Sequence, residues 1–144
     1  MTTATAWKKY GDLDAYGAQE YRAERDGVHM QVRIFEDFGT IQFGIGETEW
    51  NASGIDSGHA ASFEDATAQA EAAAALFIDA GRPKNVVMKF SAAGPCLIQG
   101  RMLGESDKFV FYLRQASKRR LKKTPGSRAV HTEPCSRCGG TYND

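Results

Sequence analysis

The sequence has no apolar run long enough to cross a membrane. Its longest, residues 72–78, falls far short of the roughly 20 residues a spanning helix requires. The opening residues M-T-T-A-T-A-W-K-K lack the apolar stretch of a secretion signal. A cytoplasmic location is therefore expected, and Asn51-Ala52-Ser53 is not read as a glycosylation acceptor. Cysteine is scarce. Cys96, Cys135 and Cys138 make an odd count, which argues against a disulfide framework. A catalytic constellation is also missing. His29 alternates outward on a strand pattern and His59 lies in a loop before a helix cap, and neither has a nucleophile at a recognisable spacing. The chain is read as a non-enzyme.

What is present is a single confident helix, residues 62–81. Ser62 suits the N-cap, with Asp65 three residues on as the capping-box carboxylate. Gly81 suits the left-handed residue past the end, and Pro83 blocks continuation. Phe63, Ala66, Ala70, Ala74 and Phe77 share one face, mostly alanine, which lets a helix approach a sheet closely.

Before the helix the periodicity is two. Residues 19–24 alternate, Asp26-Gly27 signals a tight hairpin, and Val28, Met30, Val32 and Ile34 alternate with polar neighbours. Ile41, Phe43 and Ile45 repeat the pattern after a turn at residues 36–39. A three-strand meander is expected here, preceded by a short helix or irregular arm bearing Trp7, Tyr10, Leu13 and Tyr16. Residues 50–58 read as a polar connection. After the helix, strands are expected at 86–90, 96–103 and 109–114, extending the first sheet or wrapping around its helix. The fold class is thus α+β: an antiparallel β-meander with one long Ala-rich helix packed on it, further β-strands, then a basic tail. Residues 1–116 are expected to form the α+β domain and residues 117–144 a partly flexible tail, dispensable for folding.

Net charge is zero but divided. Residues 1–107 hold nine Lys and Arg against sixteen Asp and Glu, a balance of −7, and residues 108–144 hold nine against two, a balance of +7. An acidic body with a basic tail is an interaction pattern, unless the tail folds back on its own body. Lys118, Arg119, Arg120, Lys122, Lys123 and Arg128 are the candidate phosphate contacts, to DNA or RNA. The alternative for the same cations is a solvated tail.

Cys135-Ser136-Arg137-Cys138-Gly139-Gly140 resembles a zinc knuckle of the rubredoxin or zinc-ribbon type: two thiolates turned to one point, with glycine permitting the tight turn. Zinc is the cofactor these residues would hold, with His131 as a third ligand and a fourth from Cys96, His29, His59 or another chain. The alternative is a reduced tail without metal. Residues 18–80 resemble the meander-plus-helix unit of HicB-type antitoxins, through Ser62-Phe63-Glu64-Asp65-Ala66 and Ala70-Glu71. More loosely, the Ala/Gly-rich chain looks like small accessory proteins encoded by phages. These features together lead to the expectation of a non-enzymatic, nucleic-acid-associated regulatory or accessory protein. The alternative is a protein-binding inhibitor, antitoxin-like or of the phage counter-defence kind, whose acidic sheet face covers a basic protein.

Overall fold

The computed structural model describes residues 6–123 and the backbone of residues 130 and 131. Five strands come first: β1 (Lys8–Tyr10), β2 (Ala18–Arg25), β3 (Val28–Phe35), β4 (Thr40–Gly46) and β5 (Asp56–Ala60). They form one antiparallel meander in chain order. The helix α1 (Phe63–Asp79) follows. Then come β6 (Val86–Lys89), β7 (Leu97–Glu105), β8 (Phe109–Arg114), β9 (Ser117–Lys122) and β10 (Val130–His131), which form a second antiparallel sheet in the order β10-β6-β7-β8-β9. The chain divides into two compact units, with the boundary inside α1 between Ala75 and Leu76. No helix among the described residues is long and apolar enough to cross a membrane.

The α+β class and the meander stand as expected, and four particulars differ. The meander has five strands rather than three. The N-terminal arm is not helical: Lys8, Lys9 and Tyr10 pair with Arg22, Tyr21 and Glu20 as an edge strand. Gly11 and Gly17, both at positive φ, bound the loop between β1 and β2, so the aromatic spacing there never becomes a helix. The strands after α1 do not extend the first sheet but pair among themselves. Finally, the second sheet continues beyond residue 116. Ser117 to Lys122 pairs with β8 along its whole length.

In the first unit, alternation does the sorting. Val28, Met30 and Val32 are buried, while His29, Gln31 and Arg33 between them are only partly covered. Phe43 and Ile45 of β4 complete the buried face. The N-terminal part of α1 contacts this sheet: the Tyr21 and Phe63 rings meet edge to face at 4.9 Å, and Arg25 donates to the Glu71 carbonyl at 3.4 Å. Ala66, Ala70, Ala73 and Ala74 are fully buried, the close approach that small side chains permit.

Both ends of α1 are capped as the sequence indicates. The Ser62 hydroxyl accepts from the Asp65 amide at 3.0 Å, and the Asp65 carboxylate accepts from the Ala61 amide, one residue before the usual capping-box donor. At the other end, Arg82 donates to the Phe77 carbonyl and Gly81 to that of Ile78, both at 3.0 Å, with Gly81 at φ 84°. This is a Schellman motif.

In the second unit, Val87, Val110 and Tyr112 form a buried cluster, with Met102 and Leu121 packed against it. Leu121 belongs to β9, so this strand contributes to the core of its sheet.

Replacing the fully buried Ala70 by Leu is expected to destabilise the protein by about 1–3 kcal/mol through overpacking. Chemical denaturation checks this, and a midpoint and slope equal to those of the parent would contradict the packing described.

Candidate functional site

The basic segment is sorted by the pleat of β9. Its register sets Lys118 opposite Leu113, Arg120 opposite Phe111 and Lys122 opposite Phe109, so these three cations share one face with the β8 aromatics. Arg119 and Leu121 fall on the other face, opposite Tyr112 and Val110. On the aromatic face the Lys118 ammonium lies 4.8 Å from the centre of the Phe111 ring, and the Arg120 guanidinium 4.4 Å from that of Phe109. Both rings are half-buried and both cations are exposed. Cation–π attraction of this kind holds the charged head over the ring without neutralising it. Gly104, opposite Phe111 on β7, leaves open space beside that ring: a Cβ there would meet nothing within 4 Å.

The remaining cations are engaged differently. Arg119 donates to the Gln115 side chain at 3.1 Å and to the Arg114 carbonyl at 3.3 Å. Lys123 pairs with Glu105 at 2.8 Å. Of the sequence candidates, the structure therefore gathers Lys118, Arg120 and Lys122, and turns Arg119 and Lys123 to other partners. Arg128, Cys135 and Cys138 lie outside the described residues. His131 stands in β10 with its backbone opposite Met88. Among the described residues no group of three or more His, Cys, Asp or Glu side chains is placed to hold a metal ion.

Residues 117–122 were expected to be dispensable for the fold. They instead cover the outer edge of β8 and carry Leu121 into the cluster. The turn that allows this is Gln115-Ala116, with φ of 50° and 61°. Two positive φ values are the signature of a type I′ hairpin, a turn that normally uses Asn or Gly. Asp26-Gly27, at 48° and 85°, is the same turn with its customary residues.

The outer face of the first sheet is not uniformly acidic. Glu20 contacts Arg22, and Arg22 also donates to the Glu49 carbonyl and sits 4.3 Å from the Tyr10 ring centre. Asp14 accepts from Arg33 Nε at 3.1 Å and from Nη2 at 2.6 Å on one oxygen, and from the Tyr16 and Ala18 amides on the other. Partial burial acts to raise the Asp14 pKa. The Arg33 guanidinium and the two amides outweigh it and hold the carboxyl below its ordinary value. Sequence reasoning missed both this clamp and the β8 rings as partners of the cations. Asp14 sits in a segment with no periodicity, and the rings read simply as one side of an alternating strand.

Comparison with protein-family models, curated proteins and solved structures finds no match to the chain.

Because the Asp14 pKa is lower folded than unfolded, its contribution to stability is complete well above the unfolded value of about 3.9 and is lost as pH falls through the folded value. Asp14→Asn is expected to lower the melting temperature at pH 7 and to narrow the drop between pH 7 and pH 3. Melting curves at the two pH values check this, and an unchanged drop would count against the clamp.

Proposed function

We propose that this protein is a non-enzymatic regulatory or accessory protein that binds single-stranded nucleic acid across the β8–β9 face. One observation carries the reading: three exposed cations of β9 and two half-buried aromatic rings of β8 share a single face of an edge hairpin. Backbone phosphates attract the cations, and aromatic rings and guanidinium planes accept stacked bases of any sequence. Lys and Arg on an edge strand also discourage edge-to-edge pairing. That role alone does not call for aromatic partners beneath them. A duplex would need an element that enters a groove, whereas a flat face with stacking rings suits unpaired bases.

Three phosphate contacts by Lys118, Arg120 and Lys122 correspond to a slope of log K against log salt of about −2 on single strands. Fluorescence anisotropy with single-stranded DNA and RNA between 50 and 200 mM salt measures it. Lys118→Ala with Arg120→Ala is expected to flatten the slope by about 1.4, and Arg119→Ala to leave it unchanged. Phe111→Leu is expected to weaken binding by about 1–3 kcal/mol, the worth of one stacked base. If the full chain fails to bind any single strand at low salt, the reading is wrong.

The terminal motif supports a companion proposal: a zinc ion held by Cys135 and Cys138, with His131 as a further ligand. Elemental analysis after reducing, chelator-free purification should find close to one zinc per chain, removed by Cys135→Ser with Cys138→Ser. Absence of zinc from the parent protein overturns the proposal.

A further inference from the structure

The outer face of the first sheet holds a second site, unrelated to β9. Gly44 and Gly46 of β4 have no side chain because residues 51–53 lie directly on them. A Cβ on Gly46 would come within 1.6 Å of the Asn51 carbonyl oxygen, and one on Gly44 within 2.8 Å of that of Ala52. This loop walls a pocket of about 190 Å³ whose polar lining includes Gln31, Arg33, Gln42, Ser53, Ser57 and His59. Among the described residues no acidic side chain lines it. Gln42 and His59 approach each other at 3.3 Å, while Gln31, Ser53 and Ser57 make no side-chain hydrogen bond among the described residues.

Arg33 and Gln42 are also the inner wall of an adjoining aromatic shelf. The Arg33 guanidinium lies 4.8 Å from the centre of the Phe35 ring and 5.8 Å from that of Tyr16. Tyr16 and Phe38 stand at the rim, 76% and 75% exposed. Large aromatic rings left this exposed, adjoining a pocket that holds the unpartnered Gln31 amide and the Ser53 and Ser57 hydroxyls, mark a place where a ligand supplies the missing contacts.

The chemistry narrows the ligand. The Arg33 charge is already matched by Asp14, so the pocket offers little to a bare anion. Its resources are aromatic rings beside a guanidinium, and side-chain amides that present a donor and an acceptor together. A heteroaromatic ring with donors and acceptors along its edge fits both, and Gln amides pair with base edges in this way. We propose that the site binds a nucleobase, with its face on the Tyr16–Phe38 shelf and its edge toward Gln42, the amide common to shelf and pocket. The base could reach it on a free nucleotide or on an unpaired strand, and the chemistry of recognition is the same.

The test is NMR titration of the full chain with the four common nucleosides, their 5′-monophosphates and short homo-oligonucleotides. The side-chain amide signals of Gln42 are the readout. At least one of these ligands is expected to shift them saturably. Phe38→Ala, which removes an exposed ring and leaves the core intact, is expected to weaken that binding about tenfold. A response to nucleosides identifies the base moiety alone as sufficient, and a response to oligonucleotides only identifies a strand as the source. Lys118→Ala with Arg120→Ala is expected to leave nucleoside binding unchanged, so this site and the β8–β9 face fail or stand separately. No saturable shift with any of the three ligand sets overturns the proposal, as does binding indifferent to Phe38→Ala.

Discussion

The period-two alternation of antiparallel strands is the constraint on which this molecule depends. With one helix and ten strands among the described residues, nearly every side chain is assigned to a face by its parity within a strand. In β3 the rule buries Val28, Met30 and Val32 and turns Gln31 and Arg33 outward into a polar pocket. In β9 it sends Leu121 into a core cluster and sets Lys118, Arg120 and Lys122 against aromatic rings. A register slip of one residue in either strand would exchange core for surface and dissolve both sites. Core packing and surface chemistry are therefore fixed by the same hydrogen-bond ladders.

Charge is distributed by the same rule. A net charge of zero conceals the separation of an acidic first part from a basic last part, and proximity alters what each charge can do. Arg33 is tied to Asp14 and Lys123 to Glu105. Lys118 and Arg120 meet rings instead of carboxylates and keep their charge available. A count of cations along the sequence weighs all of them equally. The structure divides them into those already matched and those open to an anionic partner, and that division matters because the attraction of a phosphate backbone scales with the number of contacts made.

Glycine shapes the first sheet as much as its apolar residues do. Gly44 and Gly46 occupy outward positions where a side chain would project, and their bareness admits the loop that becomes a pocket wall. In the sequence they are members of the set that alternates with Ile41, Phe43 and Ile45. In the fold they let the loop come down onto the sheet and wall a pocket.

Local information in the sequence determined the elements with strong local signals. Ser62, Asp65 and Gly81 placed the ends of α1, because capping joins residues only a few positions apart. Asp26-Gly27 placed a hairpin, and the alternation from Val28 to Ile34 placed its strand. What depended on partners distant in the chain was decided by tertiary structure. β1 carries helical spacing yet pairs with β2. β5 reads as a polar loop yet pairs with β4, and the second set of strands chooses itself over the first sheet. β9 is the clearest instance. Its sequence is basic, and the turn before it is Gln-Ala with no glycine, so nothing local announces a strand. The neighbouring β8 edge supplies the hydrogen bonds and the Val110–Tyr112 cluster supplies a seat for Leu121. Strand pairing is a long-range interaction whose free energy comes from the partner, so composition fixed where the charge is and only the ladder decided which way it points.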